Sequence, residues 1–465
     1  MSQSMTALSR GGIMGNNNHK NDHKELNNNN SRDTFDSKLG FILACIGSAV
    51  GMGNIWMFPY RVGQFGGAAF LIPYFVFVIV IGFTGVIGEM SFGRAMETGP
   101  LGAFKKAMEM RGKKHGDLIG LIPIIGSLGI AIGYSVVVGW ILRFTIGAIS
   151  GTMINAPDSG AYFGSIAGRM GSLGWHVTAL ILTFGIMTMG VSNGIEKVNK
   201  FMMPAFFGLF LILAIRVITL PGAMEGYKYL LVPKWEFLGD PKTWVFALGQ
   251  AFFSLSLAGS GTLVYGSYLK KTENVMNSAK YVAIFDTIAA MLAAFVIIPS
   301  VFAFNMDPSA GPPLMFITMP SVFKQMPAGR LFSIIFFIAV LFAGTTSLMN
   351  LFEASIEALQ ERFNFSRKAS VSTIGIFGLV TGIILEDADK LGVWMDIISV
   401  YVIPLGALLA GIMFFWVCGT KFAREQVQLG CDKKIGNWFE PMTKYVFCGL
   451  TIIVYVLGIF YGGIG

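Results

Sequence analysis

From residue 40 onward the chain is a succession of long apolar runs separated by short polar connections. Eleven runs stand out, at residues 40–65, 68–92, 117–149, 174–191, 201–220, 243–268, 280–304, 331–357, 371–385, 392–418 and 443–463. A helix crosses a bilayer with about 20 mostly apolar residues. The pattern therefore predicts an all-α polytopic membrane protein of about eleven transmembrane helices. No soluble domain fits between the runs.

Two runs break their own pattern. The first carries G-S-A-V-G-M-G-N at 47–54, with three glycines, Ser48 and Asn54 in the middle of an apolar segment. The sixth reads G-Q-A-F-F-S-L-S-L-A-G-S-G-T at 249–262. Glycine weakens a helix by about 1 kcal/mol relative to alanine. Freed backbone groups are tolerated in a bilayer only where protein, water or a ligand satisfies them. Each stretch is expected to be a helix break whose loosened carbonyls and helix ends can meet a cation or a charged ligand. The other reading is close helix packing at small residues. Runs one and six hold the same place if runs 1–5 and 6–10 form two halves. Five is odd, so the halves would insert with opposite topology, a 5+5 inverted repeat.

Composition supports this class: 54% of residues are hydrophobic and 13% charged, against about 25% charged in soluble domains. The net charge of +8 is mostly topology. The N-terminal tail and even-numbered loops hold 24 of the 34 Lys and Arg residues. This places the N-terminus in the cytoplasm and, after eleven spans, the C-terminus outside a cell (inner) membrane. Nucleic acid is not an expected partner. Residues 1–31 are polar and Asn-rich and are expected to form a disordered cytoplasmic tail. The transporter domain then covers 32–465: 32–220 as the first repeat, 243–419 as the second, and 443–463 as span 11. No secretory cleavage site precedes the first run. The four cysteines show no paired spacing, so neither a disulfide framework nor a metal site is expected. The basic stretch 94–114 suits a cytoplasmic surface helix. The Pro- and Gly-rich segment 305–330 falls outside, as a cap over a pathway or a plain connector. No catalytic arrangement is evident: His176 stands alone, and no metalloprotease or dinucleotide motif occurs. A channel filter is also absent.

The chain resembles the neurotransmitter:sodium symporter family. The resemblance rests on S-K-L-G-F-I-L-A-C-I-G-S-A-V-G-M-G-N-I-W-M-F-P-Y, on G-G-A-A-F-L-I-P-Y, on G-Q-A-F-F-S-L-S-L in span six and on F-A-G-T-T-S in span eight. It covers essentially everything after residue 32. It implies the LeuT-like fold and a sodium-coupled amino-acid importer working by alternating access, not an enzyme. An amino-acid-binding membrane sensor without net transport is the alternative, since both need the same pocket. By motif position, a first sodium ion would be held by Ala49, Asn54, Ser254 and Asp286. A second would be held by Gly47, Val50, Ala343, Thr346 and Ser347. The amino acid would lie between spans one and six, meeting Ser48, Ala49, Gly53, Ile130, Tyr134, Phe253, Ser254, Ser256, Gly259, Ser347 and Leu351. Tyr134 and Phe253 would also close the pocket outward. An inner gate would join Arg32 to Glu361, with Tyr268 beside it.

Three departures carry information. Asp286 is an acid well inside a span, which is costly and functional by default. The resemblance implies that chloride-dependent members have a neutral residue in place of Asp286 and bind chloride nearby, at positions matching Tyr74, Gln250 and Ser254. Ala290 is the other position that can carry an acid in the family. Asp286 is thus expected to supply the negative charge itself and make chloride unnecessary. Met57 stands where the family usually has the outer-gate Arg. Arg61, one turn beyond on the same face, is expected either to take over the pairing with Asp396 or to snorkel to the interface. Gly259 leaves room beside the substrate side chain, leaning the choice towards a large apolar or aromatic amino acid. Glu89, Glu353 and Glu357 are expected to support the scaffold or line the inner vestibule.

Overall fold

The computed structural model describes residues 34–257, 260–309, 311 and 313–463. The tail 1–31, Arg32 and Gly259 lie outside the described residues. Every apolar run becomes helix. In chain order these are α1 (Lys38–Ala49) and α2 (Gly53–Gln64), α3 (Ala68–Met96), α4 (Gly116–Ser150), α5 (Leu173–Thr188) and α6 (Val191–Ile218). The second half holds α7 (Pro241–Ser254) and α8 (Gly261–Ser267), α9 (Val275–Ala303), α10 (Gly329–Phe363), α11 (Arg367–Ile384), α12 (Ala388–Val417) and α13 (Phe439–Tyr461). Eight of these are long and apolar enough to cross a membrane, and α1 with α2 forms a ninth span bent by 50°. α5 is apolar but shorter.

Both expected breaks are present. α1 starts on the Ser37 side chain, whose hydroxyl accepts from the Gly40 N–H at 3.0 Å. It ends at Val50, where the backbone turns extended. In the sixth run, α7 stops at Ser254, and Ser256 and Ser260 take positive φ values of 55° and 52°. A residue with a side chain pays about 1–2 kcal/mol for that conformation. Such strain persists only where the surroundings over-determine it.

α4 and α10, each 35 residues long, pack side by side and form the central post of the molecule. At 1.5 Å per residue each runs about 52 Å, well beyond the hydrocarbon thickness. The Ser127 hydroxyl donates to the Leu351 carbonyl at 2.8 Å, tying the two together. In the basic stretch 94–114, Pro100–Glu109 forms a helix with Leu101, Phe104 and Ala107 buried. The segment 305–330 is more than a connector. Its helical stretch Leu314–Gln325 sinks Phe316 against Trp56, Trp140, Phe144 and Phe163, packing it over α2 and α4.

Candidate functional site

The two breaks face each other. The Ser48 carbonyl, freed at the end of α1, accepts from the Ser256 hydroxyl at 2.7 Å and from Ser347 at 3.5 Å. The Tyr134 hydroxyl accepts the Met52 N–H at 2.9 Å. The second break and two helices, α4 and α10, thus satisfy the backbone that the first break exposes. Gly51 is needed here for close approach, because a Cβ would sit 2.8 Å from the Tyr134 oxygen and 2.9 Å from Ser347 Oγ.

A cavity of about 40 Å³ opens at this junction. Ser48, Ala49 and Gly53 line it from the first span, and Phe253 and Ser256 from the sixth. Ile130 and Tyr134 of α4 and Ser347 and Leu351 of α10 close the opposite side. Met52, Asn350 and Ile403 also line it and were not expected. Nothing in a single sequence marks Ile403 as inward, since residues 402–417 of α12 are apolar on every face.

Beside the cavity, the proposed first sodium residues converge. Asn54 Nδ2 donates to Asp286 Oδ1 at 2.7 Å, to the Asp286 carbonyl at 3.1 Å and to Ser254 Oγ at 3.1 Å. The Ser254 hydroxyl donates to Asp286 Oδ2 at 2.7 Å. The Ser254 side chain is therefore turned to the carboxylate, not to the cavity. Asp286 is fully buried, and no Lys or Arg pairs with it among the described residues. A buried carboxylate with only neutral donors is stable only beside a cation or a proton. Tyr74 lies next to Ser254 and Asp286, and Gln250 donates to the Gly53 carbonyl at 2.9 Å. Ala290 is buried and adds no charge.

The residues expected at a second sodium site lie on α1 and α10. Thr346 is fully buried and its hydroxyl donates to the carbonyls of Phe342 (3.0 Å) and Ala343 (3.1 Å). Gly47 packs on Thr346. Val50 and Ala343 are both fully buried.

The family follows from comparison with known proteins. Residues 32–156 and 163–461 match the Sodium:neurotransmitter symporter family. This chain belongs to that family. A sodium-dependent transporter of Bacillus subtilis (strain 168), YhdH, is 38% identical over 391 residues, covering 81% of this chain and 86% of its own. Another from Methanocaldococcus jannaschii, MJ1319, is 33% identical and covers 89% and 88%. The crystal structure of MhsT in complex with L-phenylalanine superposes with a TM-score of 0.83 at 34% identity, over 92% of this chain and 99% of that one. The symporter therefore has the LeuT-like fold. It is a sodium-dependent membrane transporter and not an enzyme.

The gates are less simple than the family pattern implies. Arg61 does not pair with Asp396. Its guanidinium stacks over Phe246 at 4.2 Å and Tyr60 at 4.9 Å and donates to Gln64 Oε1 at 3.2 Å. Two aromatic faces are worth more to a half-desolvated guanidinium, about 1 kcal/mol each, than an exposed ion pair. Towards the C-terminal end of α10, Glu353, Glu357 and Glu361 recur every four residues on one face and hold neighbours from other segments. Arg367 grips Glu353 bidentately at 2.6 and 2.9 Å, and the Tyr268 hydroxyl donates to the same carboxylate at 2.8 Å. Glu357 takes the Gly99 N–H at 2.7 Å. Glu361 takes the Thr98 hydroxyl. Glu89 accepts from Thr262, bracing α3 against α8.

His176 is not alone, contrary to its appearance in the sequence. Its Nδ1 lies 2.9 Å from Glu386 Oε1, and its Nε2 2.8 Å from Ser135 Oγ. Ser172 donates to the other Glu386 oxygen at 2.6 Å, and Trp140 Nε1 donates to Ser172 at 3.0 Å. The line of Ser, His and Glu looks like a hydrolytic triad, but Ser135, His176 and Glu386 are buried. The Ser135 hydroxyl also sits 2.6 Å from the Ile132 carbonyl. It clamps α4, α5 and the connection between α11 and α12, immediately behind Tyr134.

Proposed function

We propose that this protein is a sodium-coupled symporter that imports an amino acid by alternating access, with two sodium ions and without chloride. The observation that carries this reading is the buried Asp286 carboxylate, held by Asn54 and Ser254 with no basic partner among the described residues. A sodium ion entering there would neutralise it. The ion would draw on the Ala49 carbonyl, Asn54 Oδ1, Ser254 Oγ and the Asp286 carboxylate, together with the substrate carboxylate. Asn54 links this ion to the break: its Oδ1 accepts the Gly51 N–H at 3.1 Å, beside the amides that face the cavity. Sodium binding and substrate binding therefore act on the same few backbone atoms. A permanent negative charge at Asp286 leaves nothing for chloride to supply between Tyr74, Gln250 and Ser254.

The substrate is an amino acid with a large apolar or aromatic side chain. Ile130, Phe253, Leu351 and Ile403 give the cavity an apolar wall, and the related MhsT was crystallised with L-phenylalanine. Its carboxylate would meet the Gly51–Gly53 backbone and the Tyr134 hydroxyl, and its ammonium the carbonyls around Phe253 and Ser256. Arg32 with Glu361 closes the inner side. The first ten of eleven spans form two inverted repeats, 32–220 and 243–419, with span 11 at 443–463. The N-terminus is cytoplasmic, the C-terminus is outside, and the protein sits in the cell (inner) membrane. Equilibrium binding of labelled amino acids to the purified protein tests this. Binding of phenylalanine or a similar residue must require sodium and persist when gluconate replaces chloride. Binding that needs chloride would overturn the role given to Asp286.

A further inference from the structure

The fifth apolar run contributes a polar atom that the sodium sites so far described do not use. Asn199 lies on α6 and is fully buried. Its Nδ2 donates to the Ile195 carbonyl of its own helix at 2.8 Å. Its Oδ1 meets no hydrogen-bond donor among the described residues. A buried amide oxygen left without a partner costs about 1–3 kcal/mol, so its position needs a reason.

That oxygen is aimed at Gly47. A Cβ built on Gly47 would lie 2.0 Å from Asn199 Oδ1 and 3.1 Å from Thr346 Cβ. The amide oxygen and the Thr346 side chain therefore converge on the same patch of α1. Both side chains have the same electronic arrangement. Thr346 donates its only proton to carbonyls of α10, and Asn199 a proton to a carbonyl of α6. Asn199 Oδ1 therefore keeps its lone pairs, and the Thr346 hydroxyl, with its proton turned to its own helix, keeps lone pairs too. An unpartnered amide oxygen of α6 and a threonine of α10, flanking a glycine where no side chain can enter, suit a hard cation. The charged residues nearest in sequence on α6 are engaged elsewhere. Lys200 pairs with Glu196 at 2.7 Å, and Glu196 also takes the Ser37 hydroxyl and the Asp36 N–H.

We infer that Asn199 Oδ1 is an additional oxygen of the second sodium site, joining α6 to the α1–α10 pair that holds the ion. This rests on the two-sodium reading above. The consequence is specific to coupling. Sodium would bind three helices together at the C-terminal end of α1, and its departure would free α1 from α6 as well as from α10.

The test is radiolabelled sodium binding to the purified full-length protein without amino acid, comparing wild type with Asn199→Ala, Asn199→Asp and Asp286→Asn. The expected wild-type isotherm saturates at two ions. Asn199→Ala should weaken one of them roughly tenfold or more, the scale of a lost contact to a charge. In the Asp286→Asn background it should remove most remaining binding. Asn199→Asp, which keeps an oxygen and adds charge, should bind sodium more tightly than wild type. Two wild-type sites with an Asn199→Ala isotherm superimposed on them would overturn the inference and leave the two-site reading intact. Wild-type saturation at a single ion would overturn that reading, and the inference with it. If Asn199→Ala does not fold, unchanged affinity in Asn199→Asp serves as the overturning result.

Discussion

Replacing Asp286 with Asn removes one charge and almost no volume. In the structure the carboxylate is fully buried, takes hydrogen bonds of 2.7 Å from both Asn54 and Ser254, and has no basic partner among the described residues. Its attraction for a sodium ion is therefore little screened. Two unit charges about 4 Å apart interact with roughly 4 kcal/mol at an effective dielectric of 20, which is close to a thousandfold in affinity. Without sodium the sign reverses: the carboxylate is a buried charge with no counter-ion, so the neutral side chain should leave the sodium-free protein at least as stable. The assay is thermal unfolding against sodium concentration, in gluconate and in chloride. Asp286→Asn is expected to raise half-saturating sodium by two to three orders of magnitude in gluconate. Chloride should recover part of the loss by restoring a negative charge near Tyr74 and Gln250. Half-saturation within about twofold of wild type in gluconate would refute the electrostatic argument.

Other residues give separate expectations. Gly51→Ala places a methyl group against Tyr134 and Ser347, so sodium-dependent substrate binding should be lost while the protein still purifies folded. Arg61→Ala should leave substrate affinity unchanged and lower stability by about 2 kcal/mol, because Arg61 stacks on Phe246 and Tyr60 and does not reach Asp396; a large rise in KM would contradict that. Glu386→Gln and His176→Ala each strand one partner of a buried pair, at about 3–5 kcal/mol, and their combination should cost less than the sum. Additive melting shifts would show that the two side chains act independently.

The helices were legible in the sequence because a bilayer demands long apolar runs, and both breaks were legible because glycine and serine are out of place there. The Asn54, Ser254 and Asp286 cluster was reached through motif positions, and the structure brings those side chains within hydrogen-bonding distance. Other features depend on packing between distant segments. His176 and Glu386 are 210 positions apart and nothing local marks them as partners. Helical spacing put Arg61 on the gate face but carried no information about Phe246, which the seventh helix places beneath it. Asn199 reads as an ordinary polar residue near the end of a span until its oxygen is seen against Gly47. Asn350 and Ile403 line the cavity only because α10 and α12 pack beside the breaks.

Uptake into proteoliposomes is the most direct test of sodium-coupled import. An inward sodium gradient in chloride-free gluconate buffer should drive accumulation of a large apolar or aromatic amino acid above its external concentration, and collapsing the gradient should release it. Sodium-dependent binding of the same amino acid with no accumulation would contradict the account.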